Sequence, residues 1–184
     1  YEAIAIGPGL DTLENLEAVI ACLLKIQKPL ILDAAALQQR IYPVRKEPIV
    51  LTPHPKEMSR ITGLPVKAIQ SNRLQVALDY AIKHHVIIVL KGRKTVCAFP
   101  NGKVNVIETG NAGLAKGGSG DTLTGILLGF LSYYEDIEAA VCNAVYLHGL
   151  CADICAENYA KSAMFASDFI ELLPKAMKRF EKNI

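Results

Sequence analysis

Glycines recur through residues 110–121, a stretch that ends in Asp121 and continues into an apolar segment with helical spacing. Glycines let successive backbone N–H groups point into one concavity, and a helix N-terminus adds unpaired N–H groups and partial positive charge. This combination predicts a phosphate site at Gly118, Ser119 and Gly120. A carboxylate is unfavourable there unless Asp121 takes a proton from a hydroxyl that attacks phosphorus. The alternative is an aspartate that only caps the helix.

A basic segment, Lys91-Gly92-Arg93-Lys94-Thr95, follows the β-branched run at residues 86–90. A lysine at the end of a strand, with a glycine and two further cations, suits a di- or triphosphate tail. The alternative is a solvated basic turn.

Two further polar residues follow predicted strands. His54 stands between two prolines, three residues before Glu57, and would hold a ligand hydroxyl or amide; the alternative is an ordinary turn histidine. Asp33 ends the run at residues 29–32 and would serve magnesium through water, position a polar ligand or cap the next helix. The remaining histidines lack any partner pattern and are predicted to be structural or surface residues: His84, His85 and His148.

These residues need a scaffold of alternating strands and helices. The apolar runs predict strands at residues 2–6, 29–32, 48–52 and 86–90, and a hairpin of 95–99 with 103–107. Helical spacing predicts helices at 12–25 (with Asp11 or Thr12 as N-cap), 35–40, up to Gly63, 72–85, 119–133, 137–157 and 167–182. Strands of this kind form a parallel sheet covered on both faces, with ligands at the carboxyl ends of the strands. We therefore expect one α/β domain over residues 1–184.

Composition excludes several other classes. The chain has 184 residues, 51% of them hydrophobic and 21% charged, with a formal net charge of +2 and no Lys/Arg run. Nucleic acid and anionic membranes are therefore not expected partners. Five cysteines in apolar segments predict reduced, buried thiols in a cytoplasmic protein, and core packing is favoured over a metal for Cys151 and Cys155. Because the chain starts directly in a predicted strand, we expect that sequence upstream is missing.

Taken together, five segments resemble the ADP/ATP-dependent NAD(P)H-hydrate dehydratases, a branch of the ribokinase-like superfamily. They occur in the family's order across the whole chain: Gly7-Pro-Gly-Leu10, Leu32-Asp-Ala34, Leu51-Thr-Pro-His-Pro-Lys-Glu-Met58, Leu90-Lys-Gly-Arg-Lys-Thr95 and residues 110–125. The resemblance implies a three-layer ribokinase-like fold with a mainly parallel central sheet flanked by helices.

The resemblance also implies a reaction. The hydroxyl of (6S)-NADH or -NADPH hydrate would be phosphorylated by ADP or ATP with Mg²⁺, and loss of phosphate would restore the dihydronicotinamide. Asp121 would lie against the reacting hydroxyl, and Gly9 and His54 would contact the hydrated cofactor. Gly120 and residues 91–95 would bind the adenine nucleotide. A homo-oligomer is implied as well.

Three departures from the family pattern accompany this resemblance. Asp11 replaces a usual glycine, Ala35 replaces a usual second aspartate, and several family strands that precede Gly7 are absent. One alternative function is a ribokinase-like kinase of a vitamin-precursor alcohol, although His54 favours the dehydratase. Another is a nucleotide-binding module without turnover. The sequence does not choose between ADP and ATP.

Overall fold

The structure, a computed structural model, describes residues 2–181, which form parts of two compact units, Tyr1–Val106 and Ile107–Ile184. Lys182, the end of the last predicted helix, lies outside the described residues.

A six-stranded sheet carries the strands in sequence order. The strands are β1 (Ile4–Ile6), β2 (Leu30–Leu32), β3 (Ile49–Leu51), β4 (Ile87–Leu90), β5 (Thr95–Ala98) and β6 (Val104–Ile107). The first four are parallel, and β5 is antiparallel to β4. Ile6 pairs with Leu32, and Leu32 with Leu51, so the residues after β1, β2 and β3 emerge at one edge.

The central strands β2, β3 and β4 are buried at every position. A parallel strand covered on both faces has no solvent side, which explains why these segments read as continuous apolar runs. The helices of this unit are α1 (Leu16–Leu23), α2 (Pro55–Thr62), α3 (Val66–Ser71) and α4 (Arg73–His84), with a 3₁₀ helix at Ala34–Ala36. The sheet that they flank confirms the predicted α/β class.

The second unit contains three long helices, α5 (Ser119–Tyr133), α6 (Ile137–Ala156) and α7 (Ala166–Glu181). Helix α6 packs against both α5 and α7. It is the one helix within residues 2–181 that is long and apolar enough to cross a membrane, yet 61% of its most apolar window is buried inside the protein. Its apolar composition is therefore explained by its position in the core of this unit.

Several local predictions are wrong. Helix α1 begins at Leu16 rather than near residue 12, and neither Asp11 nor Thr12 caps it. The predicted helix at 35–40 is the single 3₁₀ turn Ala34–Ala36, and α3 was not predicted. Among the cysteines, Cys22 is exposed and Cys142 is half-buried, whereas the other three are buried as predicted.

Candidate functional site

Three charged side chains meet at the carboxyl ends of the parallel strands. Lys91 follows β4, and its Nζ lies 2.9 Å from Asp33 Oδ1, directly after β2. The same Nζ lies 3.7 Å from Glu57 Oε2, in the first turn of α2. The Asp33 side chain is only 1% exposed, so its carboxylate depends on Lys91 to balance the cost of burial. Asp33 makes no cap hydrogen bond to the following 3₁₀ helix, so the capping alternative is wrong.

His54 is the N-cap of α2 and shares a capping box with Glu57. Its ring Nδ1 accepts hydrogen bonds from the backbone N–H groups of Lys56 and Glu57, both at 3.1 Å. The backbone N–H of His54 donates to Glu57 Oε2 at 2.7 Å. Because Nδ1 is an acceptor, the proton of the neutral ring belongs on Nε2. Burial lowers the pKa of His54 and Lys91 acts in the same direction, whereas Glu57 opposes them. The half-exposed ring therefore carries its neutral-state proton on Nε2, which lies 3.4 Å from Glu57 Oε1.

The turn after β1 needs glycine at two positions for different reasons: close approach at Gly7 and a left-handed backbone at Gly9. Gly7 has φ +130°, and a Cβ there would lie 1.8 Å from the backbone oxygen of Asp33. Gly9 has φ +71° and open space around its missing side chain. Gly7 thus lets the turn approach Asp33 closely, while Gly9 lies beside free volume.

The basic segment after β4 is fixed by Arg73, a residue that the sequence analysis missed. Arg73 Nη2 donates to the backbone oxygen of Leu90 at 2.8 Å, and Nη1 to that of Lys91 at 3.4 Å. A Cβ on Gly92, where φ is +148°, would lie 2.4 Å from Arg73 Nη1. The backbone oxygens of Leu90 and Lys91 thus face Arg73. The side chain of Arg93, two residues after Lys91, is exposed to solvent. An arginine at the start of a predicted helix gave no signal of this role.

In the second unit, Asp121 lies in the first turn of α5, which begins directly after Gly118. Gly118 has φ +83°, a left-handed conformation that favours glycine. The first-turn amides of a helix lack intrahelical acceptors, so those of Gly120 and Asp121 are available to an anion. The side chain of Asp121 is exposed, and among residues 2–181 it has no ion-pair or hydrogen-bond partner. This first turn therefore combines an anion-binding backbone with a carboxylate that is accessible for chemistry.

His148, predicted to be a structural or surface residue, is buried in α6 against the start of α5. Its Nε2 lies 3.1 Å from Thr122 Oγ1 and 3.5 Å from Ser119 Oγ. The Thr122 hydroxyl already donates its proton to the backbone oxygen of Ser119 at 2.8 Å. Nε2 must therefore carry the proton that Thr122 Oγ1 accepts. His148 thus holds the turn in which Asp121 lies.

The glycine-rich stretch is also tied to α6 at its other end. Asp153 accepts hydrogen bonds from the N–H of Gly110 at 2.8 Å and from Asn111 Nδ2 at 3.0 Å. The Asn111 side chain also accepts from the N–H of Gly113 at 2.9 Å. Neither Asp153 nor Asn111 was singled out in the sequence, because a polar residue in a long apolar helix shows its partner only in three dimensions.

The predicted site residues therefore fall into two groups. Within the first unit the structure brings together Asp33, His54 and Lys91 around Glu57, with Gly92, Arg93, Lys94 and Thr95 adjoining Lys91 in sequence and Gly9 in the turn after β1. Within the second it places Gly118, Ser119, Gly120 and Asp121 in one turn. No three His, Cys, Asp or Glu side chains in residues 2–181 are grouped to hold a metal ion. Lys91 Nζ contacts Asp33 Oδ1, and a role of Asp33 towards magnesium through water stays a prediction.

Sequence comparisons relate the chain to known proteins. The profile of a family described as NAD(P)H-hydrate dehydratase matches residues 1–175. The ADP-dependent (S)-NAD(P)H-hydrate dehydratase of Bacillus subtilis is 48% identical over 181 residues, which are 98% of this chain and 66% of that protein. The bifunctional NAD(P)H-hydrate repair enzyme Nnr of Moorella thermoacetica is 37% identical over 189 residues, 100% of this chain and 36% of that protein. The chain thus spans just under two thirds of the first relative and about a third of the second.

Solved structures give the same relationship. The ADP/ATP-dependent NAD(P)H-hydrate dehydratase from Bacillus subtilis, co-crystallized with ATP/Mg²⁺, has a TM-score of 0.95 and 47% identity, over 98% of this chain and 65% of that chain. A ribokinase-like superfamily protein from Enterococcus faecalis has a TM-score of 0.82 and 31% identity, over 97% and 63% of the two chains. A hydroxyethylthiazole kinase protein from Pyrococcus horikoshii, at 14% identity with a TM-score of 0.62 over 96% and 87%, shares the fold alone. The predicted ribokinase-like fold is confirmed.

Proposed function

The chain belongs to the NAD(P)H-hydrate dehydratase family, and from this premise we propose that it acts in the ADP- or ATP-dependent dehydration of (6S)-NAD(P)H hydrate to NAD(P)H. This is a hydro-lyase reaction that repairs a damaged nicotinamide nucleotide. The observation that carries the proposal is the exposed Asp121 carboxylate in an anion-binding helix turn. A turn that only capped a helix would not need an unpaired carboxylate beside available amides.

Asp121 is the proposed base. It takes the proton of the ring hydroxyl as that oxygen attacks the terminal phosphorus of the nucleotide. The bond from that phosphorus to the bridging oxygen breaks, and the nucleotide leaves one phosphate shorter. The first-turn N–H groups of Gly120 and its neighbours stabilise charge on the transferred phosphoryl group. The C–O bond of the phosphate ester then breaks, and phosphate leaves with its electrons as the ring nitrogen's lone pair assists. Loss of a proton from the adjacent ring carbon forms the C=C bond and restores the dihydronicotinamide.

The remaining roles are assigned by chemistry. His54 is proposed to contact a carbonyl or hydroxyl oxygen of the hydrated cofactor through Nε2, which also lies 3.4 Å from Glu57 Oε1. Gly9 is proposed to contact the same cofactor. Asp33 is proposed to act on the same part of the site by positioning Lys91. The segment Lys91 to Thr95, with Gly118, Ser119 and Gly120, is proposed to bind the adenine nucleotide.

Magnesium enters this proposal only with the nucleotide. Mg²⁺ is commonly bound through phosphates and one or two carboxylates rather than a protein cage. The described residues form no such cage, so no step is assigned to the ion. We also propose that the chain forms one domain, that it assembles as a homo-oligomer and that it is cytoplasmic. Its proposed ligands are small molecules, the hydrated cofactor and the adenine nucleotide.

The test is recovery of the near-ultraviolet absorbance of NADH from its hydrate, with ADP or ATP and magnesium, in the wild type and in Asp121→Asn. Loss of a general base predicts a rate lower by about 10²–10⁴-fold. Because the side chain is exposed and unpaired within residues 2–181, the variant should keep its unfolding midpoint and its nucleotide affinity.

Asp136→Asn is the matched control, since that aspartate caps α6 without adjoining the glycine-rich stretch. Its amide oxygen keeps the cap, so the variant should keep both its stability and its rate per folded molecule. Recovery at the wild-type rate in Asp121→Asn would contradict the assigned base. Nucleotide binding without any recovery in the wild type would contradict the dehydratase itself and indicate a module that only binds.

A further inference from the structure

A cavity of about 610 Å³ lies in the unit Tyr1–Val106, among the loop after the 3₁₀ helix and the last turns of α2 and α4. Its lining includes Arg40, Ile61, Leu64, Val76, Tyr80 and Lys83. Small-molecule sites in proteins have volumes in this range. The lining residues, several of which run along α4 from Val76 to His84, are different from those assigned to the proposed reaction.

Arg40 gives this cavity its chemical character. The side chain is 8% exposed, and its Nη2 donates to Glu17 Oε1 at 2.9 Å and to the backbone oxygen of Ala36 at 2.7 Å. The other two guanidinium nitrogens, Nε and Nη1, are buried and have no hydrogen-bond partner in the part of the chain that the structure describes. Buried cationic donors without acceptors are costly. An oxyanion bound beside the guanidinium would lower that cost through its charge.

The neighbouring groups favour an acid over a base. Burial raises the pKa of Tyr80 while the charge of Arg40 acts against it, so the hydroxyl stays protonated close to the guanidinium. Lys83 adds a second cation, and burial lowers the pKa of His84, which leaves that ring neutral. Asp79 is the one acid of the lining, and its Oδ1 already accepts from Gln75 at 2.7 Å.

The rest of the lining is apolar. Ile61 and Leu64 come from the end of α2 and the residues after it, and Val76 faces them from α4. An inorganic ion would leave this surface unused. We propose that the cavity binds a small organic acid, whose carboxylate or phosphate lies on Arg40 and Tyr80 and whose apolar body packs on Ile61, Leu64 and Val76.

Arg45 provides a matched comparison within the same unit. It too is half-buried, donates through Nη2 to backbone oxygens of Ile26 and Lys28, and has Nε and Nη1 without partners among residues 2–181. It does not line the cavity. Unpaired guanidinium nitrogens are thus common to both arginines, and the adjoining cavity distinguishes Arg40.

The experiment is a titration of the 184-residue chain with benzoate and with phenyl phosphate, followed by the ring NMR signals of Tyr80 and His84. Sodium phosphate, which has no apolar body, and sodium chloride serve as comparison titrants. We expect saturable shifts with at least one aromatic acid, and the two probes identify which head group is preferred. Arg40→Gln should weaken binding about tenfold or more, Tyr80→Phe by several-fold, and Arg45→Gln should leave it unchanged.

The Tyr80→Phe variant protects the test if Arg40→Gln fails to fold, since it deletes one hydroxyl only. Shifts that saturate and depend on Arg40 or Tyr80, but not on Arg45, support the site. Signals unmoved by both acids, equal shifts with chloride, or binding that survives in a folded Arg40→Gln protein would overturn it. Saturating ADP should leave the titration unchanged, so this outcome is separate from that of the proposed dehydratase.

Discussion

The two polar regions of this chain balance their charges in opposite ways. At the strand ends of the first unit, Lys91 lies between the carboxylates of Asp33 and Glu57, and all three side chains are mostly buried. At the start of α5, Asp121 is exposed and has neither an ion pair nor a hydrogen bond within residues 2–181. Backbone amides and a buried histidine hold its turn instead.

This difference separates the work of the two regions. A buried ion pair depends on both partners, so removing one destabilises the fold. A lone exposed carboxylate contributes little to stability and is accessible to a substrate proton. We therefore expect substitutions at the strand ends to act mainly on stability, and Asp121→Asn to act mainly on the reaction.

The largest stability effect is expected for Lys91→Met. It leaves the Asp33 carboxylate buried without its cation, which should lower the free energy of unfolding by about 3–5 kcal/mol. Urea unfolding at neutral pH measures the loss.

Arg93→Met is the matched control, because Arg93 is exposed and has no ion-pair or hydrogen-bond partner in residues 2–181. Its free energy of unfolding should change by less than about 0.5 kcal/mol. If Lys91→Met were as stable as Arg93→Met at neutral pH, the Lys91–Asp33 pair would not be structural, and the contrast between the regions would fail.

The next effect is expected for His148→Ala. Removing the Nε2–H leaves the Thr122 hydroxyl oxygen without its donor and opens space beside Phe169, whose ring centroid lies 6.0 Å from that of His148. We expect a loss of about 2–4 kcal/mol, from the cavity and the unmet hydrogen bond together. Nucleotide affinity should fall as well, since the first turn of α5 loses its support.

A glutamine at position 148 offers an N–H donor and should restore part of the affinity. The ¹⁵N NMR shifts of the His148 ring report its tautomer directly, and protonation on Nδ1 alone would contradict the assigned hydrogen bond. An unchanged nucleotide affinity in a folded His148→Ala protein would show that the histidine supports the core and not the turn.

Much of this arrangement was predictable from local sequence. Continuous β-branched runs predict β3 and β4, because strands buried on both faces admit only apolar side chains. The start of α5 at Ser119 follows from the glycines before it and the apolar spacing after it. Its neighbour Asp121 stands out because a carboxylate is unexpected beside an anion site.

What sequence could not predict are contacts between distant residues. Arg73 reads as one more helical arginine, yet it fixes the backbone after β4 from 17 residues away. His148 is separated by 26 residues from the Thr122 hydroxyl that it contacts. A single sequence carries no record of such pairs. Helix α1 also begins later than predicted, because Thr12 is a good N-cap locally but the chain makes turns before the helix starts at Leu16.

The smallest expected effect concerns pH and His54. Its folded-state pKa lies below the usual value near 6.5, mainly because of burial, while the unfolded chain titrates near that value. Below it the unfolded state binds a proton that the folded state resists, so the contribution is complete above about pH 6.5 and is lost as pH falls towards the folded pKa. Protonation also removes the Nδ1 acceptor from the cap.

In His54→Asn the amide oxygen keeps a cap that does not titrate, so its urea midpoint should fall less between about pH 8 and pH 5 than that of the wild type. Equal pH dependence in the two proteins would mean that the His54 cap survives protonation. The assignment of a neutral Nε2–H that faces the substrate would then lose its support.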